Sequence, residues 1–300
     1  MSFLVAVAYG IPSVVLYFLT IFIILRHHKA FGSSFFVLYL YDGAMNLFTY
    51  FLSFFQLRLS RVTCETCFLS PVYLNIGRFI PLNFLLAMGF HMAYVQYSLT
   101  TLISINRLNV LLNYNRTEPI WKRFSWLFVL IIYFAPFLNT HIVFLYESKM
   151  LYLHQLGAFS IESEKLPQEK IISVLTPFTA LATFTSVIVN ITSIVMVRQL
   201  KTQVRNKAEA NFLVIMSITC AVQVLGTCTT VAFLNPLFTP FFGFLSMALP
   251  FVSDALSLVQ PWLLVCFSHA IRQQLKMTVG WKPKNRGPTS QLFQLRSVTN

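Results

Sequence analysis

Charge is what this chain has least of: 10% of its residues are charged, nine of them acidic, against 56% that are hydrophobic. So little polar surface cannot cover a water-soluble fold, which excludes the ordinary globular classes and leaves lipid as the solvent for most of the chain. Cysteine is scarce too, and five is an odd number, which excludes a disulfide framework. Cys220, Cys228 and Cys266 lie in apolar stretches, where a thiol behaves as a small hydrophobe. Cys64 and Cys67 fall in a polar connection with no further ligands nearby, which excludes a structural zinc site. Catalytic patterns are missing as well. There is no HExxH, no GxSxG, no P-loop and no helix with paired carboxylates, so no enzyme class, metal or cofactor is implied.

What is present is length in apolar blocks. A bilayer core about 30 Å thick is crossed by roughly 20 apolar helical residues. Seven stretches qualify, 3–25, 35–57, 79–105, 124–146, 171–197, 212–234 and 241–267. Barrel strands would instead alternate over about ten residues. The expected fold is an all-α, seven-transmembrane helix bundle over 1–276, followed by a basic, disordered cytoplasmic tail over 277–300. The first stretch is uncharged and closes on Arg26, His27, His28 and Lys29. Lacking the basic start and small-residue cleavage site of a signal peptide, it reads as a retained anchor. Pro12, Pro81, Pro136, Pro177, Pro250 and Pro261 fall within the stretches, where neighbouring helices can satisfy the freed backbone and cavities open beside the kinks.

A net charge of +13 on a soluble protein would point to nucleic acid. Here the cations sit between apolar blocks, so the partner is the bilayer and its anionic lipid, not nucleic acid. The connections after the first, third and fifth stretches hold Arg26, Lys29, Arg107, Arg116, Lys122, Arg123, Arg198, Lys201, Arg205 and Lys207, with more in the tail. On the other side Arg58, Arg61, Arg78, Lys149, Lys165 and Lys170 are balanced by Glu65, Glu147, Glu162, Glu164 and Glu169. The strongly basic side is cytoplasmic, which sets the amino terminus outside. Residues 147–170 then form a polar outer connection, either a lid over a cavity or a solvated loop.

Ionisable groups within the membrane are costly and mark function or packing. Asp42 lies in the inner half of the second stretch, Asp254 and His91 lie near the middle of theirs, and Arg78 lies at the outer mouth of the third. Each either joins an interhelical hydrogen-bond network or serves a function. Arg78, His91 and Asp254, with Tyr94 on the His91 face, are the candidate ligand contacts.

The order of several motifs resembles one receptor branch. Ser104-Ile105-Asn106-Arg107-Leu108, then Tyr114 and Trp121-Lys122-Arg123, resembles the nematode serpentine chemoreceptors of class gamma and the related class V. Tyr9-Gly10-Ile11-Pro12, Ser34-Phe35-Phe36, Asp42 with Asn46, and Gln260-Pro261-Trp262 with Ser268 and Arg272 fit the same pattern. The resemblance implies a G-protein-coupled receptor architecture in the plasma membrane, the ciliary membrane of a sensory neuron included. It implies a small-molecule or pheromone-like ligand and a heterotrimeric G protein as partners. Asn106, Arg107, Asp42, Gln260 and Pro261 would form the coupling and switch group. Arg107 would stand for the arginine of the Asp-Arg-Tyr motif, with Asn106 in place of its acid, and Gln260-Pro261 for Asn-Pro. The usual tie between the third helix and the second outer loop is absent, since 147–170 has no cysteine. An outer disulfide would join Cys64 to Cys67.

Two function classes follow. The first is a chemosensory receptor whose small ligand binds within the bundle. The alternative is a transporter or ion channel that uses the buried carboxylates, although no internal repeat of the transporter kind occurs. A channel of the insect odorant-receptor kind would need the opposite orientation. An epitope fused before Met1 should be accessible on intact cells, and one after Asn300 only after permeabilisation. A hidden amino-terminal tag would overturn the orientation.

Overall fold

The computed structural model describes residues 2–154, 157–163, 165–199, 207–234 and 240–278. Lys201, Arg205 and the tail beyond 278 lie outside the described residues. The apolar stretches are helices: α1 (Ser2–Arg26), α2 (Ser34–Ser53), α3 (Leu82–Leu112), α4 (Tyr114–Phe134), α5 (Gln168–Gln199), α6 (Lys207–Leu234) and α7 (Phe242–Phe267). A shorter helix, α8 (His269–Thr278), follows α7. Among the described residues six helical stretches are long and apolar enough to cross a membrane, and a seventh is reached when α3 is joined to the turns Ser70–Arg78, bent 97° before it. The chain is therefore a multi-pass membrane protein with a serpentine helical bundle.

α3 is largely interior. Its 31 residues, about 46 Å of helix, bury His91, Gln96, Thr100, Thr101, Ser104, Asn106 and Arg107 among Val95, Leu99 and Ile103. Helices α2, α5 and α4 pack around it. Placement in the bundle tracks burial: 61% of the apolar window of α2 is buried against 17% for that of α4, so α4 is an outer wall.

Several boundaries differ from the sequence reading. The second span runs to Val62, past the expected end at 57, because α2 continues through a π-helical turn, Phe54–Leu59, into Ser60–Val62. Arg58 therefore lies inside the helix rather than at a membrane border. The third helix starts at Leu82, not 79, because Pro81 has extended backbone and serves as its N-cap. It also runs to Leu112, past 105, so Asn106 and Arg107 are interior residues of α3. A single residue, Asn113, links it to α4, and its side chain accepts the Arg116 backbone N–H at 3.3 Å. α4 thus begins at Tyr114 rather than 124, with Trp121, Lys122 and Arg123 inside it. It stops at Phe134, because Pro136 has no N–H to continue the ladder. Phe137–Thr140 and a 3₁₀ turn, His141–Leu145, carry the chain on.

Residues 147–170 form neither open loop nor helix at their centre. β1 (Lys149–Leu153) and β2 (Ala158–Glu162) pair antiparallel, with Leu153 opposite Ala158. Gly157, at φ 58°, takes the left-handed backbone of the turn. The hairpin rests on the bundle through Tyr73, stacked between Phe55 at 4.9 Å and Phe159 at 5.1 Å. Asn83 of α3 also accepts the Ser148 N–H at 3.0 Å. Cys64 and Cys67 are joined in a disulfide at this hairpin end. At the opposite end Arg272 of α8 donates to the carbonyls of Val265 and Cys266, capping α7.

The start of α2 is held from outside its own segment. Ser33 makes no side-chain cap, and Glu118 of α4 supplies it, accepting the Ser34 N–H at 2.7 Å and the Ser34 hydroxyl at 2.6 Å. A carboxylate there also meets the positive end of the helix dipole. By the expected bounds Glu118 falls in the connection between the third and fourth stretches, but it is buried inside α4 with Lys122 at 3.5 Å. Glu118→Ala should cost about 2 kcal/mol, because it strands a buried donor, and Glu118→Gln less than half as much. Thermal unfolding of the protein in lipid nanodiscs measures both. Equal, negligible shifts would show that the contact holds nothing.

Candidate functional site

Three clusters of buried polar groups, among others in the described residues, mark the length of the bundle. At the hairpin end, Arg58 of the π-helical turn reaches Asp254 of α7 at 2.6 Å, their side chains 6% and 3% exposed. Tyr9 of α1 donates its hydroxyl to the same Asp254 oxygen and accepts from Arg58 at 3.0 Å. Phe251 covers the guanidinium, 4.0 Å from its ring centre. Three helices thus share one ion pair. The π turn itself follows a local need, since it redirects the last turn of α2, and such turns recur at functional positions. Ser253, the residue before Asp254, meets Ser53 of α2 at 3.2 Å.

Mid-bundle, Asp42 is fully buried and held by amides. Asn46 donates to it at 3.0 Å and to the Tyr17 hydroxyl at 3.2 Å, while the Gln260 amide faces it from α7. Gln96 of α3 donates to Asn46 at 2.9 Å and to Ser257 at 3.2 Å. Pro261 follows in α7, and Trp262 then donates its indole N–H to Ser13 at 2.8 Å. The motifs around Tyr9 and Gln260 thus face each other across α1 and α7. Gly10 has a reason of its own: a Cβ there would collide with the Tyr50 hydroxyl.

At the α8 end, Asn106 donates to Ser34 at 3.0 Å and so joins the Glu118 cap. Its neighbour Arg107 lies between two rings, 4.2 Å from the centre of Phe35 on α2 and 4.8 Å from that of Phe212 on α6. Cation–π contacts of a desolvated guanidinium are each worth about 1–2 kcal/mol. A narrow cavity lies beyond, lined by Phe35, Tyr39, Ile103, Met216 and Gln260, with room for about one water.

His91 and Tyr94 share a face of α3 but look toward α4, away from the ion pair. The His91 Nε2–H donates to the Tyr133 carbonyl at 2.9 Å, and Nδ1 lies 3.2 Å from the Thr140 hydroxyl. Tyr133 is followed by the Pro136 break, so His91 satisfies a carbonyl near the place where α4 loses its ladder. The Tyr94 hydroxyl accepts from Asn139 at 2.7 Å, and its ring lies 4.9 Å from Phe178. Arg78 is exposed in the 3₁₀ turn Ile76–Arg78 before α3, outside the bundle. The four residues singled out as ligand contacts therefore do not converge. The sequence reading missed Arg58, which it placed at a membrane border, and Glu118. A signal for Arg58 was there, since apolar Leu57, Leu59 and Val62 continue around it and Asp254 needs a cation. Among the described residues no group of three or more His, Cys, Asp or Glu is placed to hold a metal.

Apolar helices enclosing a file of buried hydrogen bonds, with charged groups paired inside, define a multi-pass helical-bundle membrane protein. The family model of the Srg family chemoreceptors matches residues 3–275, and the chain belongs to that family. It is similar to serpentine receptor class gamma-31 of Caenorhabditis elegans, 24% identical over 280 residues, which is 89% of this chain and 89% of that one. This is a family of receptors rather than of enzymes.

Removing one member of a buried ion pair leaves the other uncompensated and costs about 3–5 kcal/mol. Arg58→Met should therefore lower thermal stability strongly, and adding Asp254→Asn should recover part of the loss. Additive effects in this double-mutant cycle would show that the pair does not act as one unit.

Proposed function

We propose that this chain is a chemosensory receptor of the plasma membrane, with its amino terminus and hairpin outside and α8 in the cytoplasm. A small molecule or pheromone-like compound enters between the helices at the hairpin end, and a heterotrimeric G protein reads the α8 end. The ciliary membrane of a sensory neuron is where such a receptor meets its stimulus. Membership of the chemoreceptor family supports the reading, and so does the excess of Lys and Arg on the α8 side.

The observation that carries it is the placement of Arg107. It ties α3 to α2 and α6 through two aromatic faces, so moving α6 away breaks one contact and leaves the other. That gives the bundle two discrete arrangements, which a ligand that favours one of them can bias. Asn106, Asp42, Gln260 and Pro261 belong to the same mechanism, as the hydrogen-bonded file between the two ends. Within the bundle, Asp254 is the ligand-facing group at the hairpin end, and His91 and Tyr94 hold the wall formed by broken α4. Arg78, exposed ahead of α3, is left out of the binding group.

The test is Arg107→Ala beside Arg116→Ala, since Arg116 is an exposed cation at the same end. Surface level and second messenger are measured in reporter cells challenged with a small-molecule panel. Arg107→Ala should reach the surface and lose at least about tenfold in response, equivalent to about 1.4 kcal/mol of coupling, and Arg116→Ala should behave like the parent. An Arg107→Ala protein that signals normally would make the arginine a border anchor and sink the G-protein reading.

A further inference from the structure

A cavity of about 130 Å³ lies where the hairpin meets the bundle, between the π-helical turn of α2, the first turns of α3 and strands β1 and β2. Protein interiors keep few voids larger than a water, so a space of this size at a packed junction is a feature of the fold rather than loose packing. Its volume is close to the about 150 Å³ of an apolar cavity that stays dry and takes up benzene. One wall is a set of near-parallel rings. Tyr73 lies 10° from the plane of Phe55 and 13° from that of Phe159. The Tyr73 hydroxyl donates to the Phe55 carbonyl at 2.9 Å, which holds its ring in that stack. Leu86 and Met150 extend the apolar lining.

The described residues that line the cavity carry no charge, so a charged occupant would give up its hydration without an opposite charge in that lining. The polar groups there are few and placed. Gln56 donates its amide N–H to the Leu85 carbonyl of α3 at 2.8 Å, which fixes the amide and leaves its oxygen as an acceptor with no donor among the described residues. That oxygen lies beside Gly89, where a Cβ would come within 3.3 Å of it. Ser160 of β2 adds a hydroxyl that no described residue engages. An acceptor and a hydroxyl against an aromatic wall select an uncharged ring that carries a donor of its own.

We infer that this cavity binds a small, uncharged, one-ring compound bearing a hydroxyl, with its ring against Phe55, Tyr73 and Phe159 and its O–H donated to the Gln56 oxygen. Arg58, the partner of Asp254, follows Gln56 by two residues in the same π-helical turn, so an occupant is linked directly to the ion pair. This inference rests on the receptor reading above and supplies its site and ligand class.

The test uses the full chain in nanodiscs and follows the fluorine NMR signal of para-fluorobenzyl alcohol, with empty nanodiscs as the control for uptake into lipid. The parent should give a saturable bound signal that empty nanodiscs lack. Benzyl alcohol should displace it, and toluene should need at least about ten times more, the worth of one hydrogen bond. Benzoate and benzylamine, charged at neutral pH, should not displace it. Gln56→Leu should remove most of the preference for the alcohol over toluene. Ser160→Phe on the hairpin and Leu86→Phe on α3 each fill the cavity from a different element and should abolish binding, with thermal unfolding identifying the variants that are folded. A bound signal undiminished in the folded filled variants, equal displacement by toluene or benzoate, or no signal beyond that of empty nanodiscs overturns the inference. Cavity-dependent binding without second messenger in reporter cells would fail the receptor reading and leave this site standing. Second messenger evoked by other compounds through a parent that shows no bound signal would do the reverse.

Discussion

Lipid offers no hydrogen bonds, so every polar group taken into this bundle has to find its partner on another helix or on its own. That constraint organises the fold. α3 turns its buried polar residues toward the helices around it, with Gln96 bonded to Asn46 and Ser257, Thr101 to Ser186, and Asn106 to Ser34. Thr and Ser elsewhere return their hydroxyls to the carbonyl four residues back, as Thr100 and Ser104 do. The apolar surface left over, including Phe18, Phe22, Leu130 and Ile131, faces outward.

The same constraint explains residues that look like functional groups in sequence. His91 is an interior histidine whose ring nitrogens meet Tyr133 and Thr140 beside the Pro136 break. Glu118 replaces the missing cap of α2 and binds its first residue by both oxygens. Both are consequences of helix ends and breaks placed where water cannot reach. Asp42 sits between the amides of Asn46 and Gln260, and Asn46 in turn joins it to Tyr17 of α1 and Gln96 of α3.

The two ends of the bundle differ in how they hold charge. At the hairpin end a guanidinium faces a carboxylate, an arrangement whose strength depends on both members being present. At the α8 end Arg107 lies against the rings of Phe35 and Phe212, whose attraction is weaker than that of a buried ion pair. A strong, specific contact on one side and a weaker, separable one on the other suits a molecule in which a binding event is read at a distance.

The apolar blocks alone determined that the chain is a helical membrane protein, because only backbone that satisfies itself can cross a bilayer. The motifs around Tyr9, Asn106-Arg107 and Gln260 pointed to the receptor family that the family model matches over residues 3–275. Composition could not show where each helix stops. α2 runs on through a π turn, α3 passes its expected end by a full two turns to Leu112, and α4 breaks at Pro136, all decided by contacts with neighbours. Those shifts of a few residues moved Arg58, Asn106, Arg107 and Glu118 from membrane borders to the interior. The pairing of Arg58 with Asp254, 196 residues apart in sequence, belongs to the tertiary structure alone. A charge near a helix end reads as a border anchor until the helix packed beside it supplies a partner, and no local pattern records which helix that will be.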